Sequence, residues 1–191
     1  IPGKNLMPVG GIPLVGRSIQ AALDSAGVTR VVVSTDDQDI ASVSRAHDAD
    51  VVMRPTDIAG DNASSESALL HALDVLSAAG PLEPRLVFLQ CTSPFTSGEQ
   101  IDRVLEALDQ SGVNSAFSVA PWHGFLWRSD GRGINHDPQQ PRQRRQDLEP
   151  AFLETGAIYA MRTEAFQMSG NRFCAPWQPV VIMDSGPEID T

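Results

Sequence analysis

The chain contains little cysteine and little positive charge. Its 191 residues include 2 cysteines, Cys91 and Cys174, which cannot form a disulfide framework and have no cysteine or histidine at metal-ligand spacing. Lysine and arginine number 14 against 24 acidic residues, and the net charge of -10 argues against a surface for nucleic acid or anionic membranes. We therefore expect buried thiols in a reducing compartment and a small molecule as partner.

Long apolar runs and the common phosphate-binding loops are also missing. No apolar stretch approaches the length of a transmembrane helix, and no charged start precedes an apolar segment as in a secretory signal. Neither a Walker A sequence nor a Gly-x-Gly-x-x-Gly motif occurs, so a P-loop NTPase and a dinucleotide-dependent dehydrogenase lose their main support. These absences predict a cytoplasmic protein without membrane or nucleic-acid partners.

The length of the chain predicts a single domain over residues 1–191, because this length suffices to bury most of the apolar surface in one core. No internal repeat or low-complexity tract divides the sequence. Since the first residue is Ile1 rather than Met, we expect the start of the chain to be processed or incomplete.

Apolar periodicity predicts strands that alternate with amphipathic helices. The predicted strands cover residues 31–33, 50–54, 86–89 and 116–119, with two returning strands at 157–161 and 179–183. The expected helix N-caps are Asp36, Ser65 and Ser97. Alternation of this kind implies right-handed crossovers, so we expect an α/β fold with a mostly parallel sheet and helices on both faces.

Residues 121–150 interrupt this pattern. Trp122, Phe125 and Trp127 are followed by a polar stretch rich in proline and arginine that could not fill a core. A segment of this kind inside a compact domain usually has a function or a partner. The aromatic residues are one candidate for a base-stacking platform, but apolar residues without a core of their own more often pack on another subunit. A subunit interface is therefore the favoured interpretation.

Polar residues follow three of the predicted strands. Ser34-Thr35-Asp36 follows the first, Arg54 ends the second, and Gln90 with Thr92-Ser93 follows the third. Ligands of open α/β sheets bind outside the carboxyl ends of the strands. An arginine offers a planar five-donor group to phosphate, and a primary amide both donates and accepts toward a sugar, so Arg54 and Gln90 are predicted ligand contacts. Asp36 is interpreted as a helix cap.

Three arginines, Arg142, Arg144 and Arg145, form a basic cluster in an otherwise acidic chain. An exposed basic loop or a nucleic-acid contact are the alternatives, but three arginines make a small electrostatic footprint. Because arginine pairs bidentately with a planar carboxylate, the cluster favours a clamp for a carboxylate ligand.

Several short segments, taken in their order along the chain, resemble the acylneuraminate (CMP-sialic acid synthetase) family of cytidylyltransferases. The segments are Ile1-Pro2-Gly3-Lys4-Asn5, Ser34-Thr35-Asp36, Leu89-Gln90-Cys91-Thr92-Ser93-Pro94, Arg144-Arg145-Gln146-Asp147, Gly156-Ala157-Ile158-Tyr159 and Glu188-Ile189-Asp190-Thr191. The resemblance spans nearly the whole chain and implies a Rossmann-like nucleotidyltransferase fold. It also implies a homodimer built through residues 121–150, and a first strand with an Arg-x-x-Ser-Lys-Gly loop immediately before Pro2.

The resemblance implies transfer of CMP from CTP to the anomeric hydroxyl of a sialic-acid-like nonulosonic acid, with release of pyrophosphate and with Mg²⁺ as cofactor. One alternative is a nucleotidyltransferase for another sugar acid or another base. The other is a catalytically idle relative that binds nucleotide or serves as an assembly partner.

The same resemblance assigns candidate residues to the nucleotide and to the metal. Lys4 matches the lysine that neutralises the triphosphate, and Asn5 its neighbour near the nucleotide, where Arg54 and Ser64 are also assigned. Glu188 and Asp190 stand where the family has an Asp-x-Asp pair that holds Mg²⁺. Lys4, Glu188 and Asp190 are the expected catalytic residues.

On the sugar side, Arg145 matches the carboxylate-binding position of the family, and Tyr159 lies near the sugar together with Gln90. Thr155 departs from the asparagine often found there. This departure leaves the choice of sugar open.

Overall fold

A computed structural model describes residues 3–60, 63–183 and 189. Within these ranges the α-helices are α1 Leu14–Leu23, α2 Gln38–Ala46, α3 Ser65–Ser77, α4 Gly98–Leu108 and α5 Thr163–Ser169. The strands are β1 Pro8–Val9, β2 Ile12–Pro13, β3 Val32–Thr35, β4 Asp50–Met53, β5 Arg85–Leu89, β6 Ser115–Trp122, β7 Ala151–Arg162 and β8 Trp177–Val181. Short 3-10 helices cover Lys4–Leu6, Thr56–Ile58 and Arg145–Asp147.

The main strands form a parallel pair and a four-stranded sheet. β3 pairs with β4 in parallel, and the larger sheet has the order β5-β7-β6-β8. β7 runs antiparallel to β5 and β6, whereas β8 is parallel to β6, so three of its four strands share one direction. β1 and β2 form a separate short hairpin. The predicted α/β fold with a mostly parallel sheet is confirmed.

Helices cover both faces of the larger sheet because side chains alternate along β5. Val87 and Leu89 pack on one face with Ile101, Leu105 and other residues of α4. Leu86 and Phe88 point to the opposite face, where α3 and α5 supply Leu73 and Phe166. The loop that follows β5 is therefore attached to a strand that is packed on both faces.

Two predicted helix caps are displaced by one residue. Asp37, not Asp36, caps α2, and its carboxylate accepts from the backbone N–H groups of Asp39 at 2.7 Å and Ile40 at 3.1 Å. Ser64, not Ser65, caps α3 by accepting from the N–H of Ser67 at 3.1 Å. The predicted cap at Ser97 is confirmed.

The strands that border residues 121–150 are longer than predicted. β6 extends to Trp122 and β7 begins at Ala151, because the two strands resume pairing beyond a register shift between Phe117 and Val119. Between them, the ring of His136 packs edge-on against Phe125 at 5.0 Å and Trp127 at 4.6 Å. Aromatic contacts therefore organise part of this segment without a core helix or a long strand.

Candidate active site

A cavity of about 680 Å³ lies between β3 and β5. Within the described residues β3 pairs with β4 and β5 pairs with β7, so the cavity separates the two sheets. Its body is apolar, with valines of β3 and β5 facing leucines of α3. Polar residues line it where the strands end, and we call this part the strand-end site: Lys4, Asn5, Ser34, Arg54, Ser65, Gln90 and Thr92. Only this part suits a charged ligand, because burying unpaired charge among apolar groups is costly.

Lys4 and Asn5 reach the strand-end site from the 3-10 helix that opens the described chain. Gly3 precedes this helix with φ of 68°, a left-handed conformation that favours glycine. Backbone N–H groups of Leu6 and Met7 donate to the carbonyls of Gly3 and Lys4 at 3.0 Å and close the turn. The segment Gly3-Lys4-Asn5 thus folds as a tight turn that presents its lysine and asparagine at the cavity.

Arg54 and Asp36 join the ends of β4 and β3. The Arg54 backbone N–H donates to the Thr35 carbonyl at 2.8 Å, and its Nη2 donates to Asp36 Oδ1 at 3.0 Å. Two buried donors of the strand-end site, Arg54 Nε and Ser34 Oγ, have no hydrogen-bond partner among the described residues. Buried donors normally have partners, so these two are suited to a polar or anionic ligand.

The first turn of α3 borders the same site. Ser65 lines the cavity, whereas Ser64 is exposed and its hydroxyl oxygen accepts the helix-cap hydrogen bond. The positive end of the α3 dipole therefore lies beside the site, where negative charge on a ligand is favoured.

Gln90 and Tyr159 are positioned by neighbouring strands. The Gln90 N–H donates to the Ala157 carbonyl at 3.2 Å, and Tyr159 lies opposite Phe88 with ring centroids 5.9 Å apart. The Tyr159 hydroxyl, which is almost completely buried, donates a short hydrogen bond to Glu154 Oε1. Burial and then Glu154 raise the pKa of Tyr159 strongly, so its phenol stays a neutral donor.

Arg145 is not brought to the strand-end site. It is exposed in the one-turn helix Arg145–Asp147, it is not among the residues that line the cavity, and no hydrogen bond or ion pair between described residues joins it to Gln90 or Tyr159. Its neighbour in the cluster, Arg142, lies over the Phe125 ring at 4.2 Å. Within one chain, the predicted carboxylate clamp and the predicted sugar contacts are therefore apart.

The expected metal ligands, Glu188 and Asp190, lie outside the described residues. Ile189, which separates them in sequence, is described, and its N–H donates to the Thr92 carbonyl at 2.8 Å. This bond brings residue 189 beside the loop that follows β5. Carboxylate oxygens suit Mg²⁺, which takes only one or two protein carboxylates, so a Glu-x-Asp pair attached here fits the ion. Residues 3–60 and 63–183 contain no cluster of three or more potential metal ligands.

Neither cysteine is suited to covalent catalysis. Both thiols are free, Cys174 is buried and Cys91 is partly buried. Burial raises the pKa of both, which keeps them protonated and weakly nucleophilic. The described helices also include none with the length and apolar character needed to cross a membrane.

The family model described as cytidylyltransferase matches residues 1–181 of the chain. The chain belongs to the cytidylyltransferase family. It is 33% identical over 169 residues to the N-acylneuraminate cytidylyltransferase of Oncorhynchus mykiss, covering 83% of this chain and 37% of that protein. It is 29% identical over 200 residues to the CMP-N,N'-diacetyllegionaminic acid synthase of Legionella pneumophila, covering 100% of this chain and 84% of that protein.

A solved structure, CMP:2-keto-3-deoxy-manno-octonic acid synthetase complexed with CTP, matches this cytidylyltransferase chain with a TM-score of 0.72. Sequence identity is 17%, and the match covers 100% of this chain and 88% of that chain. The predicted family and the predicted nucleotidyltransferase fold are confirmed. The chain spans well under half the length of its fish relative, at 37%.

Sequence reasoning missed three charged residues, Arg172, Glu66 and Glu154, that are connected by contacts to Tyr159. Arg172 Nε donates to Glu66 Oε1 at 2.7 Å, and Glu154 accepts from the Tyr159 hydroxyl. The Arg172 hydrogen bond lowers the pKa of Glu66 against the opposing effect of burial. None of the three stands in a recognisable motif, and Arg172 lies 106 residues from its partner. Only the folded chain brings them together.

Proposed function

We propose that this chain catalyses CMP transfer from CTP to a nonulosonic acid. The anomeric hydroxyl oxygen of the acid attacks the α-phosphorus of CTP, the bond from that phosphorus to the bridging oxygen breaks, and pyrophosphate leaves. The hydroxyl proton passes to solvent or to the leaving group. The observation that carries the proposal is the convergence of Lys4, Asn5, Arg54 and Gln90, from separate segments, on one cavity.

The nucleotide side of the proposed site is formed by cationic and neutral donors. Lys4 and Arg54 offset the charge of the triphosphate, and the buried Nε of Arg54, which has no hydrogen-bond partner among the described residues, supplies a further donor. Asn5 offers an amide beside Lys4, and Ser64 lies at the α3 N-terminus. This type of reaction depends mainly on positioning and on charge stabilisation, so no protein nucleophile is required.

The acceptor side is assigned to Gln90 and Tyr159. Gln90 follows β5 at the same edge where β7 carries Glu154, and Tyr159 is fixed in its neutral form. Thr155, which replaces a frequent asparagine, is buried, and its hydroxyl lies 2.5 Å from that of Ser118. Its hydrogen-bonding capacity is used inside the sheet, which supports selection of the acid by side chains around Gln90 instead.

Glu188 and Asp190 would hold Mg²⁺. The ion, when bound, offsets charge on the phosphate oxygens during transfer. The hydrogen bond from Ile189 to Thr92 supports this assignment, since Thr92 lines the same cavity as Gln90. Lys4 lines the same cavity and supplies a second cation for the triphosphate.

A homodimer is proposed to complete the acceptor site. Several apolar side chains in and beside residues 121–150 are about half exposed, namely Trp127, Ile134, Phe152 and Leu153. An exposed apolar surface of this extent is typical of a protein contact. Because Arg145 does not reach its own strand-end site, we propose that it serves the site of the partner subunit. The two free cysteines support a cytoplasmic location, where thiols stay reduced.

The decisive experiment measures pyrophosphate release by the full-length protein with Mg²⁺, each of the four common nucleoside triphosphates and a series of sugar acids. We expect turnover with CTP and with at least one nonulosonic acid. Turnover with a different base or only with shorter sugar acids would replace the proposed substrate pair. CTP binding without turnover for any acid would identify a catalytically idle relative and refute the proposal.

A further inference from the structure

We infer that Arg172 is a positioning residue of the acceptor subsite and acts by fixing Tyr159. This inference rests on the proposed function, which assigns Tyr159 to that subsite. The carrying observation is a guanidinium that lies over two neighbouring aromatic rings and is anchored by a carboxylate from a distant helix.

The guanidinium of Arg172 lies over two stacked aromatic rings, Phe88 and Tyr159, on the α3 side of the sheet. Its central carbon is 4.7 Å from the Tyr159 ring centroid and 5.1 Å from that of Phe88. Phe173, the next residue, packs edge-on against Tyr159 at 6.0 Å. A planar cation over an aromatic face is attracted by the ring quadrupole, so these contacts fix both the ring and the guanidinium.

Glu66 fixes the other end of this arrangement. It lies in the first turn of α3, two residues after Ser64, and accepts from Arg172 Nε at 2.7 Å. The two side chains are 14% and 23% exposed, which makes this the most buried ion pair among the described residues. Arg172 thereby connects the helix beside the nucleotide side of the site to the tyrosine on its acceptor side.

Stability alone does not account for a pair buried in this way. Removing two charges from water costs about as much as their attraction returns, and well-packed apolar replacements are often equally stable. The surrounding leucines and phenylalanines would accommodate such replacements. The charged, planar guanidinium instead fixes the orientation of Tyr159. The Tyr159 hydroxyl in turn holds the exposed Glu154 by a hydrogen bond.

This chain of contacts reaches the strand-end site through β5. Phe88 lies directly opposite Tyr159 and two residues before Gln90, so the side chains of Phe88 and Gln90 emerge on the same face of the sheet. When the guanidinium is removed, the Tyr159 ring loses its opposing plane and Glu154 loses its fixed donor. The expected consequence is weaker binding of the acceptor acid, with the nucleotide side unchanged.

The test compares Arg172→Met, Arg172→Lys and Glu66→Gln with the wild type, with CTP and acceptor varied separately. Arg172→Met keeps apolar contact with the rings, and we expect its KM for the acceptor to rise about tenfold while kcat and the KM for CTP stay within about twofold. Arg172→Lys, which keeps the charge without the plane, should show a smaller rise. Arg85→Met, which removes an ion pair with Asp109 at the other end of β5, is the matched control and should change neither KM.

An acceptor KM within about twofold of wild type in folded Arg172→Met would overturn the inference, as would equal rises in both KM values. If Arg172→Met does not fold, Arg172→Lys and Glu66→Gln test the inference in its place. In both folded variants the KM for the acceptor must rise while the KM for CTP stays unchanged. A wild-type protein that releases no pyrophosphate refutes the proposed function and, with it, the acceptor subsite. An active wild type whose variants keep its acceptor KM refutes the role of Arg172 alone.

Discussion

Arg54 Nη2 donates to Asp36 Oδ1 at 3.0 Å, which joins the carboxyl ends of two adjacent parallel strands. The pair leaves Arg54 Nε buried without a partner among the described residues, at the edge of the cavity. Asp36 thus holds the guanidinium in one orientation while a donor remains for a ligand. Arginine combines both functions because its five N–H donors lie in one rigid plane.

We expect Arg54→Ala to weaken apparent CTP affinity about tenfold, because a charge-assisted hydrogen bond to the nucleotide is lost. The KM for the acceptor acid should stay nearly unchanged. Arg30→Ala is the matched control, since Arg30 pairs with Asp50 at 2.7 Å at the opposite ends of the same two strands. Steady-state kinetics with each substrate varied in turn provide the measurement. Equal effects of the two substitutions on the CTP KM would contradict a ligand contact at Arg54.

The Asp36 and Asp37 pair shows where sequence reasoning reaches its limit. Apolar periodicity located α1 to α4 but not α5, and six of the eight strands within the described residues. Of the polar residues after three strands, Ser34, Arg54, Gln90 and Thr92 line one cavity. In the sequence, the two adjacent aspartates are equivalent candidates for the N-cap of α2. In the structure, Arg54 at the end of the neighbouring strand pairs with Asp36, and Asp37 is the cap. Local sequence contains the capping signal but not the cross-strand partner.

Long-range contacts account for the other differences. The first residues of β7 pair with the end of β6 beyond a register shift, and they carry no simple alternation of apolar residues. Arg172 gives no signal in the sequence because its partners, Glu66, Phe88 and Tyr159, belong to three distant elements. The family motifs predicted the candidate site, whereas the residues that support Tyr159 required the folded structure.

Tyr159 gives a prediction for alkaline pH. Burial and Glu154 raise its pKa above the ordinary value of 10.0, so the folded state binds its phenolic proton more tightly than the unfolded state. The contribution of this proton to the free energy of unfolding is present below about pH 10 and is lost as the pH rises through the pKa of Tyr159 in the folded state. Because the chain has 1 tyrosine, tyrosinate absorbance reports this residue alone. We expect little tyrosinate to form before the protein unfolds. Above about pH 10, the free energy of unfolding should fall less steeply with pH in Tyr159→Phe than in the wild type. Ionisation near pH 10 in the folded protein would show that the phenol is not held as described.

Arg145 gives a prediction about the dimer. Arg145→Ala should weaken the apparent affinity for the acceptor acid by about 2 kcal/mol, with CTP affinity nearly unchanged, and Lys should substitute poorly because it lacks the planar fork. If Arg145 serves the partner subunit, mixing Lys4→Ala and Arg145→Ala chains should restore up to about a quarter of the wild-type sites after random exchange, when assayed at an acceptor concentration too low for Arg145→Ala alone to turn over measurably.

The control for this complementation is a mixture of Lys4→Ala with Gln90→Ala. Lys4 and Gln90 line the same cavity of one chain, so no mixed dimer should contain an intact site. A monomer by sedimentation at assay concentration would contradict the proposed dimer. Mixed dimers that form but show no activity above that of the separate variants would show instead that Arg145 does not serve the partner subunit.

The last prediction concerns the carboxylates on either side of Ile189. Its N–H donates to the Thr92 carbonyl, which places residue 189 beside the loop that also carries Gln90. Because residues i and i+2 of an extended chain point to the same side, we predict that Glu188 and Asp190 face one cation. Mg²⁺ keeps several waters and takes one or two protein carboxylates. We therefore expect Asp190 to be the principal ligand. Glu188 is expected to be a second ligand, a water-mediated contact or a base for the sugar hydroxyl.

We therefore expect Asp190→Asn to lower turnover on the order of a hundredfold or more, because charge on the phosphate oxygens is no longer offset at the proper place. Glu188→Gln should give a smaller loss, since an amide oxygen still reaches the ion directly or through water. Circular dichroism and thermal unfolding check that both variants fold, and a Mg²⁺ titration of pyrophosphate release should shift to higher concentration in Glu188→Gln. Wild-type rate and wild-type Mg²⁺ dependence in Asp190→Asn would show that the metal is held elsewhere.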